Sequence, residues 1–346
     1  MKKTKIKMLS LFSGIGAPET AIKNLGFDLE VVNHCEIDKF AATSYQALHN
    51  ENPSLNLVDV STVDATEIKG IDLLFHGSPC TSFSLIGKGE GGDKDSGTKS
   101  SLMWETVRIV KECLPQIVIW ENVKGVLTAK HKHNFDAYID ELSSLGYKTT
   151  YKLITPQDIG EAQSRPRVFV VSTLHGEFEF PNNFTKSFKP LKTYLEALPD
   201  EKYILNDELV RNFAIGHPSF TGRMRVQDPE GGVGCLVAKG GKAVRTNNYL
   251  LSNLQHYKGL DLGYNQIIEM QERGYKIRAL TPLEYWRLQG FTDKQFYIAQ
   301  KAIADTYKKG DISQADAQLY KQAGNSINVK VLESFLASVL NNHLIK

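Results

Sequence analysis

The sequence is poor in cysteine and has no long hydrophobic run. Only four cysteines occur among 346 residues, and their spacing fits neither a disulfide scaffold nor a metal site. We therefore predict free thiols, no bound metal and a reducing compartment. The apolar stretch that follows the basic N-terminus reaches only about Phe12 before glycines interrupt it. This pattern predicts neither a signal peptide nor a membrane span, and it favours a cytoplasmic protein.

The chain also lacks a large excess of either positive or negative charge. The chain has 41 Lys and Arg against 39 Asp and Glu, which gives a net charge of +2. This net charge is too small to identify a nucleic-acid partner, although one basic face would suffice for electrostatic binding. The 41% hydrophobic content and the length predict a globular protein with room for a core and a second domain. Composition therefore leaves the substrate open.

Strand and helix patterns alternate through the first half of the chain. An apolar strand over 6–12 runs into the turn Ser13-Gly14-Ile15-Gly16, and a helical pattern follows over 19–25. This alternation predicts an α/β fold with a doubly wound, Rossmann-like parallel sheet. Two further segments, 149–154 and 167–173, are expected to add an antiparallel edge, which makes the sheet mixed. The other expected strands span 30–35, 71–76 and 116–120, and the other expected helices span 38–48, 102–113 and 135–145.

The composition and the pattern of the sequence change after Thr173. Proline, glycine, asparagine and scattered aromatics replace the alternation through about residue 276, which predicts a second, smaller domain that is irregular or β-rich. Helical patterns resume over 282–288, 313–322 and 329–340. We predict a first domain over 1–175, a second over 176–277, and a C-terminal segment over 278–346 that returns to the first domain.

Ser78-Pro79-Cys80 follows the predicted third strand and precedes a glycine-rich stretch. A strand that stops here would present the Cys80 thiol at the carboxyl edge of the sheet, where α/β enzymes place their ligands. For an isolated cysteine, the more common role is that of a small buried apolar residue. The interpretation as a nucleophile therefore depends on chemical partners nearby.

Candidate partners occur at the end of the fourth strand and beyond it. Glu121 is expected at the same edge as Cys80, where partial burial would keep its carboxyl protonated and able to donate to a ring nitrogen. Arg165 and Arg167 are separated by one residue at the start of a predicted strand, so we expect both side chains on one face. They suit a phosphate, a base edge or Glu121. Each residue alone is also compatible with an ordinary solvated charge.

The first glycine turn suits a nucleotide-like cofactor. Gly14 and Gly16 let a ligand approach the backbone, although a structural turn needs the same glycines and their spacing departs from the dinucleotide fingerprint. Glu36, about twenty residues further on, is placed to accept hydrogen bonds from ribose hydroxyls, and Asp59 from an adenine amino group. Together they indicate adenosine, whereas either acid alone is more commonly a solvated loop carboxylate.

Taken in order, these motifs resemble those of the cytosine-C5 DNA methyltransferases, and the resemblance covers most of the chain. Any one match could be chance, but six or seven in the family's order could hardly be. The matching segments are 12–16, 36–39, 77–84, 121–123, 163–167, 278–284 and 322–326.

The resemblance implies a mechanism as well as a fold. Cys80 would add as a thiolate to carbon 6 of a cytosine, Glu121 would hydrogen-bond the ring nitrogen 3, and Arg165 would assist in holding and polarising the base. Arg167 is expected to be a further catalytic residue. Carbon 5 would then take a methyl group from S-adenosylmethionine. Because this chemistry cannot occur inside a stacked helix, the resemblance also implies a cytosine flipped out of duplex DNA.

The resemblance further implies a set of cofactor residues. Ile37 stands where the family often has an aromatic residue, and Ala17 where it often has another glycine. The expected S-adenosylmethionine-binding residues are Phe12, Gly14, Gly16, Glu36, Ile37, Asp59, Pro79, Asn325 and Ser326.

For DNA, the resemblance implies a target-recognition domain in the middle of the chain. The glycine- and lysine-bearing stretch 85–100 is expected to close over the substrate. Basic residues interleaved with glycines in the middle domain are expected to approach phosphates and base edges. The predicted DNA-binding residues are Ser84, Lys88, Gln163, Arg223, Arg225, Lys239, Lys242 and Arg245.

The leading hypothesis is a sequence-specific methyltransferase of double-stranded DNA that acts as a monomer, either beside a separate restriction endonuclease or as a solitary phage enzyme. Three alternatives remain open at this stage. One is the tRNA-methylating branch of the same family, and another is a catalytically silent DNA-binding module. The third is a nicotinamide-linked oxidoreductase, which rests only on the strand-glycine-helix architecture. The DNA sequence that is recognised does not follow from the residues.

Overall fold

The computed structural model describes most of the chain, and its residues divide into two compact units. Unit 1 comprises Met1–Ile154, Pro166–Phe184 and Val329–Lys346, and unit 2 comprises Thr155–Arg165 and Thr185–Asn328. The predicted division into catalytic, recognition and C-terminal parts stays a prediction about function. The described residues are 5–79, 92–94, 96–184, 187–208, 210, 225–238, 248–251, 269, 272–307 and 315–344.

Unit 1 contains a six-stranded sheet with the order β2-β1-β3-β4-β6-β5. Strands β1 to β4 pair in parallel, and β6 is antiparallel to both β4 and β5. The central strands are buried along their apolar runs, as expected for a sheet covered on both faces. The predicted mixed, doubly wound sheet is therefore confirmed. The strands are β1 (Lys5–Leu11), β2 (Asp28–Cys35), β3 (Leu73–His76), β4 (Ile117–Val123), β5 (Lys148–Ile154) and β6 (Arg167–Thr173).

The helices follow the predicted alternation in unit 1. Asp38 accepts hydrogen bonds from the amides of Phe40 and Ala41 and so caps the second helix. The last helix packs on the first, where Asn24 bonds Glu333, and on the sheet, where the rings of Phe335 and Phe169 lie 5.3 Å apart. The helices are α1 (Ala17–Asn24), α2 (Lys39–His49), α3 (Met103–Cys113), α4 (Lys132–Ser144), α5 (Pro282–Leu288), α6 (Asp293–Ala304), α7 (Asp316–Asn325) and α8 (Val329–His343).

Unit 2 contains helices α5 to α7 and a small sheet with the order β7-β8-β9, formed by Arg225–Val226, Asn248–Leu251 and Ile277–Ala279. Arg278 on β9 is buried and makes two hydrogen bonds of 2.8–2.9 Å with Glu284 of α5. This pair ties the sheet to the helix that follows it. The helical patterns of the sequence do not include helix α6, although the capping box of Thr292 and Gln295 is a sequence signal for its start.

Within the part of the chain that the structure describes, no helix combines the length and the apolar character needed to span a bilayer.

Candidate active site

The backbone that leads to Cys80 is anchored to strand β4. Ser78 is only 3% exposed, and its hydroxyl accepts a hydrogen bond of 3.0 Å from the indole of Trp120. The side chain of Asn122 donates to the carbonyl of Ser78 at 3.3 Å. Cys80 itself lies outside the described residues, as do Ser84 and Lys88. The structure therefore fixes the two residues before the predicted nucleophile at the carboxyl end of the parallel strands.

A neutral aromatic cluster lies beneath this backbone. The imidazole of His76 is fully buried, bonds the hydroxyl of Tyr138 at 2.9 Å and stacks on Trp120. Burial lowers the pKa of His76 to about 3, so this ring is uncharged at neutral pH. The support for Ser78 is thus rigid and carries no charge of its own.

Glu121 and Arg167 form an ion pair at the same end of the sheet. Glu121 lies opposite Phe169 in the β4–β6 register, and Arg167 is two residues from Phe169. The two side chains are therefore diagonal neighbours on one face. Their Oε1 and Nε atoms lie 3.0 Å apart, with side chains 12% and 15% exposed. The arrangement offers a fixed carboxyl group and a planar cation to a ligand at this edge.

Arg165 has a different environment from Arg167. It belongs to unit 2 and is 5% exposed, and its guanidinium donates to the carbonyls of Leu236, Gly324 and Ser326. The expectation that both arginines share one face is therefore wrong. Side chains alternate in a simple way only within a strand, and β6 begins at Arg167, after Pro166.

Four of the predicted cofactor residues line one pocket of unit 1. Phe12, Glu36, Ile37 and Asp59 line a small cavity of about 60 Å³ that is partly open to solvent. The remaining lining residues were not predicted. Cys35 precedes Glu36 in the chain, and Val58 and Val60 flank Asp59, whereas no local signal marked Leu102. The unpredicted residues are Cys35, Val58, Val60 and Leu102.

Glu36 holds the glycine turn in place. Its two carboxylate oxygens accept the amides of Gly14 at 2.8 Å and Asp38 at 2.7 Å. Each carboxylate oxygen can accept a second hydrogen bond, which keeps the predicted ribose contact chemically feasible. Gly16 has a φ of 77°, and a Cβ there would collide with the ring of His49. Both features require glycine at this position.

Two bulky residues of the pocket have left-handed backbones. The φ angles are 54° at Phe12 and 63° at Val58. Such conformations cost about 1–3 kcal/mol each and concentrate at ligand-binding sites. The strain supports the assignment of this pocket as a binding site.

The environments of the other cysteines argue against their acting as nucleophiles. Burial, with a smaller contribution from Asp59 and Glu36, raises the pKa of Cys35 to about 12. Burial also raises the pKa of Cys113 to about 11. Both thiols are therefore protonated and inert at neutral pH. Cys235 is exposed in unit 2, where its sulfur lies 3.4 Å from a guanidinium nitrogen of Arg165.

The remaining predicted residues lie in unit 2 or outside the described residues. Ser326 is nearly buried at the end of α7, and Asn325 beside it is exposed. Gln163 is fully buried, and among the residues that the structure describes neither its amide oxygen nor its amide nitrogen has a hydrogen-bond partner. Arg225 is described only as part of β7. The predicted DNA-binding residues outside the described ones are Arg223, Lys239, Lys242 and Arg245.

In the residues described, no group of three or more His, Cys, Asp or Glu side chains is arranged to bind a metal ion.

Solved structures agree with this architecture. The S. pombe Dnmt2 methyltransferase superposes with a TM-score of 0.74 at 19% identity, covering 97% of this chain and 98% of that chain. The Entamoeba histolytica methyltransferase EhMeth superposes with a TM-score of 0.75 at 17% identity, covering 99% and 100%. These likenesses confirm the fold.

Sequence comparison gives the family. The orphan methyltransferase M.SPBetaI of Bacillus phage SPbeta is 29% identical over 99% of each chain. The type II methyltransferase M2.ScrFI of Lactococcus lactis subsp. cremoris is 29% identical over 93% of this chain and 81% of the relative. The family described as C-5 cytosine-specific DNA methylase matches residues 6–341. The chain therefore belongs to the C-5 cytosine-specific DNA methylase family, which confirms the resemblance inferred from the motifs.

Proposed function

We propose that this chain transfers a methyl group from S-adenosylmethionine to carbon 5 of a cytosine that is flipped out of double-stranded DNA. Family membership supports the coarser statement that it is a cytosine-5 DNA methyltransferase. The observation that carries the finer statement is the juxtaposition of the Glu121–Arg167 ion pair with the anchored Ser78 at the carboxyl end of the sheet. We assign the nucleophile to Cys80, two residues further on.

The chemistry requires covalent addition because carbon 5 of cytosine is a weak nucleophile. The Cys80 thiolate forms a bond to carbon 6, and the electron pair of the 5,6 double bond makes carbon 5 nucleophilic. Glu121 stabilises the ring at nitrogen 3, and Arg167 fixes the Glu121 carboxyl and polarises the base. After carbon 5 takes the methyl group, a water molecule accepts the carbon-5 proton, the electron pair of that C–H bond re-forms the double bond, and the Cys80 sulfur leaves as a thiolate.

The lining of the unit 1 pocket supports adenosine as the ligand. Phe12 and the aliphatic side chains offer apolar surface to a flat base, and the carboxylates of Glu36 and Asp59 offer acceptors to a ribose diol and an amino group. Hydrogen bonds from Ser61 hold the pKa of Asp59 below its ordinary value, so this side chain is an acceptor at neutral pH. When bound, S-adenosylmethionine supplies the methyl group. Asn325 and Ser326 of unit 2 stay predicted cofactor residues, as does Pro79.

Replacing Asp59 with asparagine should weaken S-adenosylmethionine binding. Oδ1 of Asp59 accepts the amide and hydroxyl of Ser61, so asparagine would present an N–H group to the adenine amino group. The lost hydrogen bond to a charged acceptor corresponds to roughly a tenfold higher Kd. Isothermal titration calorimetry measures this change directly.

Asp64 offers a matched control for that variant. Its Oδ1 accepts the amide and hydroxyl of Thr66 in the same local turn, but it does not line the pocket. Asp64→Asn should leave the Kd for S-adenosylmethionine unchanged. Equal effects of the two substitutions would contradict the adenine contact.

Gln163→Leu should stabilise the free protein while impairing its action on DNA. Each buried amide atom without a partner costs about 1–3 kcal/mol, and leucine removes both atoms at similar volume. Removal of these two atoms should raise the Tm of the free enzyme. We expect DNA to satisfy the same amide in the complex, so the KM for DNA should also rise. Thermal unfolding and methyl-transfer assays measure the two effects.

Gln116→Leu is the contrasting control for Gln163. The amide of Gln116 donates to Asp72 at 2.7 Å, so its loss should lower the Tm and leave the KM for DNA unchanged. A Gln163→Leu variant with a lower Tm and normal kinetics would show that the amide has a structural role only.

The substrate is tested by methylation in cells and with purified nucleic acids. Bisulfite sequencing of DNA from cells that express the chain should reveal cytosines that resist conversion in one sequence context. Labelled S-adenosylmethionine should transfer label to duplex DNA and not to tRNA. Label on tRNA alone would overturn the choice of DNA. The proposal includes a cytoplasmic monomer that needs no metal, acting with or without a separate restriction endonuclease.

A further inference from the structure

One side chain of unit 1, that of Asn56, links the two chain segments that carry the predicted cofactor acids. Its Oδ1 accepts the amide of Glu36 at 3.0 Å and the amide of Val58 at 3.0 Å. Its Nδ2 donates to the carbonyl of Glu36 at 3.0 Å. Val58 directly precedes Asp59 in the chain. The carboxamide therefore holds the backbone of Glu36 at a fixed separation from the backbone next to Asp59.

The Asn56 carboxamide continues the pairing of strand β2 past the end of the strand. Strand β2 ends at Cys35, and the amide of Leu57 donates to the carbonyl of His34 at 2.8 Å. A carboxamide presents an acceptor and a donor, as a peptide group does. The Asn56 side chain thereby pairs with both backbone groups of Glu36, one residue beyond the strand.

Val58 depends on this support because its backbone is strained. The amide of Asp59 donates to the carbonyl of Leu57 at 2.8 Å, which closes a three-residue γ-turn around Val58. The φ angle of Val58 is 63°, a value that β-branched residues rarely adopt. Because Val58 is 50% exposed, packing around its side chain offsets little of this strain. The bond from its amide to Asn56 therefore helps to hold the turn that directs Asp59.

We infer that Asn56 is a positioning residue for S-adenosylmethionine, which sets the separation between Glu36 and Asp59 that the adenosine half of the ligand requires. This inference rests on the proposed function. Among the described residues that line the pocket, Asn56 is not included, so it acts through the two acids and not by touching the ligand. Its loss should therefore weaken binding of the cofactor and spare the methyl-transfer step.

The test compares Asn56→Ala with the wild-type chain in calorimetric binding of S-adenosylhomocysteine. The Kd should rise by about tenfold, because both acids lose their fixed separation. The KM for S-adenosylmethionine should rise by a similar factor, whereas kcat at saturating S-adenosylmethionine should stay unchanged. A lower Tm with an unchanged Kd would show that Asn56 has a structural role only and would overturn the inference.

Asn33→Ala is the matched control. Nδ2 of Asn33 donates to the carbonyl of Leu55 at 3.3 Å, so it contacts the same segment from strand β2. It does not bridge the two acids. The Kd for S-adenosylhomocysteine should be unchanged in this variant, and an equal rise in the two alanine variants would contradict a specific role for Asn56.

Glycine at position 58 provides a second test, because glycine adopts positive φ angles with little strain. In a Val58→Gly background the turn depends less on Asn56, so Asn56→Ala should raise the Kd by only about threefold. Comparison within each background cancels the ligand contact that is lost with the valine side chain. An equal effect of Asn56→Ala in the two backgrounds would overturn the inference.

A third measurement needs no variant. In the wild-type protein, S-adenosylhomocysteine should increase hydrogen-exchange protection of the amides of Glu36 and Val58, which both donate to Asn56. The amide of Ser54, which donates to Asn52, should not change. No change at Glu36 and Val58, in a protein that binds the compound and methylates DNA, would overturn the inference and leave the proposed function intact. A wild-type protein that neither binds the compound nor methylates DNA would overturn both.

Discussion

Replacing Cys80 with alanine will abolish methyl transfer to DNA without preventing S-adenosylmethionine binding. Of the cysteines that the structure describes, Cys35 and Cys113 cannot replace it in the proposed reaction, because both are buried with raised pKa values. Loss of a covalent nucleophile lowers turnover by roughly 10⁶-fold in well-studied hydrolases. Transfer of labelled methyl groups to DNA and calorimetric binding of S-adenosylmethionine measure the two parts.

Cys235→Ala serves as the control for this result. Its thiol is exposed and makes long contacts with Arg165 at 3.4 Å and with the carbonyl of Leu236 at 3.5 Å, so turnover should be retained. Substantial methyl transfer by Cys80→Ala would show that another group starts the reaction.

Replacing Glu121 with glutamine will lower turnover by about 10²–10⁴-fold, the usual contribution of a positioned acid or base. Glutamine keeps the shape of the side chain but removes the titratable group and the ion pair with Arg167. Arg167→Lys should give a smaller loss, because lysine retains the charge without the planar donor geometry. Single-turnover kinetics with saturating S-adenosylmethionine separate this loss from effects on binding.

Glu112→Gln is the matched control within unit 1. Glu112 forms an ion pair of 2.8 Å with Arg108 on α3 and has no part in the proposed chemistry. It should change stability slightly and leave turnover unaffected. Similar losses of turnover in the two glutamine variants would contradict a specific role for Glu121.

The strands of the sheet and several residues at its carboxyl edge could be predicted from the sequence, because local patterns determine them. Apolar runs and glycine turns locate the strands, and the parallel alternation brings their carboxyl ends together. This reasoning placed Glu121 correctly at the end of β4. It also selected Phe12, Glu36 and Asp59, which line one pocket although they are separated by more than twenty residues at each step.

Other features depend on contacts that no local pattern records. The side chain of Arg165 bonds carbonyls about 70 and 160 positions away in the chain, which spacing from Arg167 does not reveal. Leu102 lines the pocket from the start of α3. Gln163 stands out because, among the described residues, its buried amide has no hydrogen-bond partner. Such tertiary contacts become visible only in the folded chain.

The central claim is the covalent bond between Cys80 and carbon 6 of the target cytosine. It is tested most directly with a duplex that carries 5-fluorocytosine at the site found by bisulfite sequencing. Because fluorine at carbon 5 cannot leave as a proton does, the sulfur cannot depart and the adduct persists. The wild-type chain with S-adenosylmethionine should give a protein–DNA adduct that survives denaturation, and Cys80→Ala should give none. No adduct with the wild-type chain, or an equal adduct with Cys80→Ala, would contradict the mechanism.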